Sequence, residues 1–245
     1  MRALRAAADL IWPADCAGCG RPDAAPLCGD CRAELMGPVA RREGSAPRLN
    51  PADGGPALAV WCSAWYVGPT RHAIVAWKRA GQGALEREMT RAIARTAEAV
   101  ARILGALTSA VAVTPIPSRA LRRVRRPSRG AEVLALAAAE ALAGAGLDAC
   151  VEDVLARPAW AKDQAGKSSR ERQAGREGAT LVRRVPGRPV LLVDDVLTTG
   201  ATLLDAERAF ARAGAASLGA VVLAASPGQS WVAPAGANGG PPRID

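Results

Sequence analysis

The stretch that most constrains the fold is residues 190–203, which read Val-Leu-Leu-Val-Asp-Asp-Val-Leu-Thr-Thr-Gly-Ala-Thr-Leu. Four successive apolar residues predict a strand buried on both faces, which is typical of a parallel sheet covered by helices. The strand is predicted to end at Val193. Asp194 and Asp195 would then lie at the carboxyl edge of the sheet, where sheets of this type bind their ligands.

The rest of the chain continues this alternation of strands and helices. Short apolar or β-branched runs predict strands, and longer segments with apolar residues at helical spacing predict helices. One or two strands are predicted at 57–67, and single strands at 110–116, 151–156, 179–184, 190–193 and 218–224. Helices are predicted at 84–106, 131–143 and 201–213. We therefore expect an α/β fold with a mostly parallel sheet flanked by helices.

Composition divides the chain into four predicted parts. Residues 1–40 form a cysteine-rich module, 41–56 a Pro- and Gly-rich linker, 57–226 the α/β domain, and 227–245 a disordered tail. Within the domain, the polar residues 157–178 predict a long loop or lid. The chain has no apolar run near the ~20 residues that span a bilayer, and its first residues make a poor signal peptide. A soluble, cytoplasmic protein is expected.

Four of the six cysteines lie in two Cys-x-x-Cys pairs, Cys16 with Cys19 and Cys28 with Cys31. In a reducing cytosol such a cluster indicates a metal site rather than disulfide bonds. Two such turns complete a tetrahedral set of thiolates for a structural Zn²⁺, with no open position for catalysis. The alternative is a set of redox-active or unligated thiols.

The chain is strongly basic, with a formal net charge of +9 at pH 7. This charge favours phosphate-bearing partners such as nucleotides, sugar phosphates or nucleic acid. Six arginines and no acid lie between Arg119 and Arg129. That segment either faces a phosphate group or forms a solvated basic loop.

The second half of the 190–203 stretch has the donors that a phosphate group needs. Gly200 lets the backbone approach closely, and the following helix start offers unpaired amides and the positive end of a dipole. We name the residues Thr198, Thr199, Gly200, Ala201 and Thr202 the phosphate loop. The preceding acids would repel a phosphate but can accept hydrogen bonds from sugar hydroxyls, so a ribose phosphate is expected. The alternative is a helix start without a ligand.

Residues 193–200 resemble the phosphoribosyl pyrophosphate (PRPP) signature of type I phosphoribosyltransferases. Other motifs stand in the order typical of the ComF/GntX family: the paired cysteines, Trp77-Lys78-Arg79-Ala80-Gly81, Pro115-Ile116-Pro117 and Arg129-Gly130. That family comprises bacterial phosphoribosyltransferase-like proteins with an amino-terminal zinc finger, some of which take part in DNA uptake during natural transformation. The resemblance covers roughly residues 14–225.

The resemblance implies a type I phosphoribosyltransferase-like fold with a site for PRPP and Mg²⁺. Asp194 and Asp195 are then the expected catalytic carboxylates. Besides the phosphate loop, the expected PRPP contacts are Lys78, Ser118, Arg119, Gln164 and Arg170.

Two functions are compatible with these expectations. The first is an enzyme that transfers the phosphoribosyl group of PRPP to an acceptor, for which the sequence shows no recognisable pocket. The second is a ComF-like protein that handles single-stranded DNA, or contacts the DNA-uptake machinery, and uses the PRPP pocket for binding or regulation. A PRPP-sensing regulator is disfavoured because no helix-turn-helix pattern appears. The oligomeric state is left open.

Overall fold

The computed structural model describes residues 15–23, 25–50, 57–80, 83–117, 130–157 and 180–228. Its helices are α1 (Gly29–Leu35), α2 (Gly68–Ala80), α3 (Ala84–Gly105), α4 (Gly130–Gly144) and α5 (Ala201–Arg212). Its strands are β1 (Ala40–Arg41), β2 (Val60–Cys62), β3 (Ala64–Trp65), β4 (Ala110–Pro115), β5 (Asp148–Val151), β6 (Leu155–Ala156), β7 (Leu181–Val182), β8 (Val190–Leu197) and β9 (Ser217–Ala225). None of these described helices combines the length and apolarity needed to cross a membrane.

The centre of the fold is a seven-stranded sheet in the order β1-β2-β9-β8-β4-β5, with β3 also paired to β9. All of its pairings are parallel except that of β1 with β2. Strands β6 and β7 form a separate antiparallel pair. The predicted α/β class with a mostly parallel central sheet is therefore confirmed.

Alternate residues of the central strand point into two hydrophobic clusters, one on each face of the sheet. Leu191 and Val193 belong to the first cluster, and Val190 and Leu192 belong to the second. Helices α2, α3 and α4 supply buried side chains to the first cluster, and α5 supplies them to the second. Both faces of β8 are covered, which explains its continuous apolar run.

Strand β8 is longer than the sequence predicts. It ends at Leu197 rather than at Val193, so the two adjacent acids lie within the strand. Beyond Val193 the strand β4 no longer pairs with β8, but β9 continues beside it as far as the Leu197–Ala225 pair. The hydrogen bonds to β9 continue the strand through Asp194 and Asp195, although the charge of these two residues had predicted that the strand ends before them.

The other differences concern short elements. The predicted strand at 151–156 is divided into the end of β5 and the two-residue β6, and helices α1 and α2 had not been predicted. The one or two strands predicted at 57–67 correspond to β2 and β3. Most of the predicted loop or lid at 157–178, and the tail from residue 229 onward, lie outside the described residues.

The described part of the predicted linker is packed into the fold. Strand β1 pairs with β2, and Ala46 and Leu49 have no exposed surface because they pack in the second hydrophobic cluster. Residues 41–50 therefore do not form a free linker. Residues 41–50 contain few apolar side chains, but Ala46 and Leu49 are both buried.

The cysteine-rich module shares the core of the α/β domain. Its buried side chains join the first hydrophobic cluster together with Trp61, Ile74 and Trp77. Arg32 of α1 forms a bidentate ion pair with Glu88 of α3: Nε donates to Oε2 at 2.9 Å and Nη2 donates to Oε1 at 3.1 Å. A bidentate pair of this kind fixes orientation as well as distance, so α1 is firmly attached to α3.

Candidate functional site

The turn between β8 and α5 begins the candidate phosphate site. Gly200 is the N-cap of α5 with φ +78°, a left-handed conformation that favours glycine. The hydroxyl oxygen of Thr199 accepts only a long hydrogen bond, 3.4 Å, from the amide of Ala201. Among the residues that the structure describes, no side-chain hydrogen bond is made from the N-cap position of α5. The first-turn amides of α5 are thus suited to binding an anion.

The phosphate loop is supported from behind by the segment at 46–49. A Cβ atom at position 200 would lie 2.6 Å from Cγ of Leu49 and 3.2 Å from Cβ of Ala46. The amide of Arg48 donates to the carbonyl oxygen of Thr199 at 3.0 Å. This contact was not predicted, since two apolar residues in a Pro- and Gly-rich stretch carry no recognisable signal.

The two adjacent carboxylates point to different surroundings, as successive residues of a strand do. Asp194 lines a shallow pocket whose other walls come from Val196, Leu197 and residues 198–203, apart from Thr199. Asp195 instead pairs with Lys78 of α2, at 2.7 Å between Oδ2 and Nζ. Only Asp194 therefore shares a pocket with the phosphate loop in this structure.

The two acids also differ in their electrostatics. Burial, and secondly the charge of Asp195, raise the pKa of Asp194 to about 7. The amide of Asp195, which donates to Oδ1 of Asp194 at 2.8 Å, and the Lys78 ammonium oppose this rise. Asp194 is therefore a carboxyl whose charge changes near neutral pH.

The residues predicted from the sequence fall into two groups. The structure brings Asp194 together with the phosphate loop, and it places Lys78 at Asp195. The residues Ser118, Arg119, Gln164 and Arg170 lie outside the described residues, and their contacts remain predictions.

The four predicted metal ligands Cys16, Cys19, Cys28 and Cys31 form one cluster. Their Sγ atoms all lie within 4.8 Å of one another, and those of Cys19 and Cys28 are 3.7 Å apart. Zn–S bonds of about 2.3 Å in a tetrahedron imply S–S separations of about 3.8 Å. The cluster geometry therefore fits a structural zinc ion.

The surroundings of this cluster act on its thiols in different directions: hydrogen bonds lower the pKa of Cys16 and Cys19, whereas burial raises the pKa of Cys31. The amide of Cys28 donates to Sγ of Cys16 at 3.2 Å. Nε of Arg21 donates to Sγ of Cys19 at 3.4 Å, and this bond lowers the pKa of Cys19 to about 6. The thiolate is the form that binds zinc.

Comparison with known proteins identifies the domain that holds the acids and the phosphate loop. The model of the phosphoribosyl transferase domain matches residues 97–235, more than half of the chain. The chain belongs to the phosphoribosyltransferase family. No curated protein matches it significantly.

The matched residues contain β8, its two acids and the phosphate loop. The cysteine cluster, the supporting segment at 46–49 and Lys78 all precede the matched residues. The candidate site is therefore built partly from segments that the family model does not include.

A first prediction concerns metal content. We expect the purified protein to carry one zinc ion per chain, and Cys28→Ser to lose most of it, because three thiolates leave the tetrahedron incomplete. Elemental analysis and a thermal melt measure both effects. Cys150→Ser, on β5 away from the cluster, serves as the control and should keep the zinc. Equal zinc content in the two variants would contradict the assignment.

A second prediction concerns Asp194. Its pKa is raised on folding, so the folded protein binds the proton more tightly than the unfolded chain, and stability falls as pH rises from about 4 to 7. Asp194→Asn should therefore stabilise the ligand-free protein at pH 8 by on the order of 2 kcal/mol, or about 4–8 °C in Tm.

The Asp194→Asn gain should shrink as the pH is lowered toward 5, which calorimetry over this range will show. The exposed Asp148→Asn is the matched control, with little change expected at any pH. A Tm of Asp194→Asn at or below that of the wild type at pH 8 would refute the prediction.

Proposed function

We propose that the protein binds PRPP with Mg²⁺ at the carboxyl end of β8 and transfers its phosphoribosyl group to an acceptor. One observation carries the proposal: Asp194 and the uncapped start of α5 line the same pocket. The carboxylates accept hydrogen bonds from the ribose diol. The amides and hydroxyls of the phosphate loop bind the 5-phosphate.

The site residues also suit Mg²⁺. Mg²⁺ is usually bound by one or two carboxylates together with substrate phosphates and water, and Asp194 and Asp195 supply such oxygens. The ion, when bound, neutralises charge on the leaving pyrophosphate. Ser118, Arg119, Gln164 and Arg170 are proposed as further PRPP contacts.

Catalysis on this proposal consists of binding, positioning and electrostatics. The bond between the anomeric carbon and the pyrophosphate oxygen breaks as the acceptor attacks, and positive charge develops on the ribose ring. Carboxylates held near the ring stabilise that charge, because they are already oriented by the strand. Nζ of Lys78 lies 2.7 Å from Oδ2 of Asp195 and provides a cation for the departing pyrophosphate.

The test is calorimetry with PRPP and Mg²⁺, followed by a pyrophosphate-release assay with pooled nucleobases. We expect Asp195→Asn to weaken PRPP binding at least about tenfold, since hydrogen bonds to charged groups contribute roughly 1.5–3 kcal/mol. Asp148→Asn, an exposed carboxylate elsewhere on the sheet, should bind like the wild type. Binding without pyrophosphate release would limit the proposal to binding, and absence of binding would refute it.

A second candidate function is the handling of single-stranded DNA by a ComF-like protein. The cysteine cluster ahead of the domain agrees with the architecture of the ComF/GntX family. The specific observation is a row of exposed arginines, Arg87, Arg91 and Arg95, at four-residue intervals on α3, of which Arg91 also pairs with Glu88 at 3.5 Å. Residues four apart lie on the same side of a helix, so these side chains form one basic surface.

The DNA hypothesis predicts binding of a labelled oligothymidylate that weakens steeply with salt. Changing Arg87, Arg91 and Arg95 together to Gln should lower the salt slope by about 2, at ~0.7 per phosphate contact on a single strand. A matched triple change of Arg183, Arg184 and Arg188, which pair with acids, should have no such effect. Identical slopes for both variants would exclude this surface.

A further inference from the structure

Helix α2 begins against the cysteine cluster. Cβ of Pro69 lies 3.3 Å from the position that a Cβ atom would take at Gly18. Nδ1 of His72 donates to the carbonyl oxygen of Gly18 at 3.0 Å, and Oγ1 of Thr70 donates to Glu34 of α1 at 3.2 Å. The first turns of α2 therefore pack directly on the module.

The module residues that α2 contacts are held by the metal ligands themselves. Gly18 lies inside the turn between Cys16 and Cys19, and a Cβ atom there would be 2.8 Å from Sγ of Cys31. Glu34 belongs to α1, whose N-cap is Cys28. These residues are therefore placed both by the cysteines beside them and by the packing of the module on the first hydrophobic cluster.

The other end of α2 reaches the proposed PRPP site. Trp77 is buried in the first hydrophobic cluster, and Lys78 follows it and pairs with Asp195 at 2.7 Å. His72 and Lys78 are six residues apart, or about 9 Å along the helix axis. His72 and Lys78 therefore lie on one continuous helix, less than two turns apart.

We propose that the cysteine module positions Lys78 for PRPP through α2, with His72 as the positioning residue that links the two. This inference rests on the proposed function, because PRPP is the ligand whose binding Lys78 supports. Lys78 binds the anionic substrate and balances Asp195, whereas His72 never touches the substrate. The module then serves the substrate site directly, besides stabilising the fold.

The test measures zinc content and the Kd for PRPP with Mg²⁺ in one set of full-length variants. His72→Ala keeps all four thiolates, so we expect it to retain one zinc ion per chain and yet raise the Kd about threefold to tenfold. His72→Asn should restore binding, because its amide nitrogen replaces Nδ1 as the donor to Gly18. Arg71→Met, an exposed cation on the same helix, is the control and should bind PRPP like the wild type.

The decisive comparison uses Lys78→Met, which should raise the Kd at least about tenfold. When His72→Ala is added to Lys78→Met, the Kd for PRPP should not change further, because the Lys78 side chain that His72 positions is already absent. Equal and independent losses in the two backgrounds would overturn this inference, as would a wild-type Kd for either single variant. If the zinc-loaded wild type itself fails to bind PRPP, the proposed function falls and this inference falls with it.

Discussion

Two like charges held side by side near the end of the central strand are the constraint on which this structure depends. Hydrogen bonds to β9 hold both residues in the strand, and burial together with the charge of Asp195 raises the pKa of Asp194 to about 7. The repulsion between the two carboxylates destabilises the fold, and carboxyl pKa values perturbed in this way cluster at functional sites. Lys78 and the backbone amide of Asp195 offset part of this repulsion.

The neighbouring elements can be understood from this strand outward. Helix α5 starts immediately after it and adds a positive dipole end beside the acids, while residues 46–49 fill the space behind Gly200. Helix α2 brings a cation from the opposite direction. These supports come from both sides of the boundary of the family match, which begins at residue 97.

The sequence predicted the fold class, the main helices and strands, and the cysteine cluster, because each depends on local pattern. The apolar run of β8, the helical spacing in α3 and the two Cys-x-x-Cys turns can all be recognised within a few residues. The end of β8 was predicted wrongly, since charge indicated a loop where pairing with β9 continues the strand. The packed segment at 41–50 was missed because its composition is that of a linker.

The sequence by itself determined which residues are expected at the candidate sites: the two acids, the phosphate loop and the four cysteines. Only the tertiary structure decided how the two acids differ, with Asp194 in the pocket and Asp195 bound to Lys78. It also decided that α2 contacts the cysteine cluster at one end and Asp195 at the other. Such contacts join residues far apart in the chain, so they depend on how the helices pack against the sheet and leave no local pattern in the sequence.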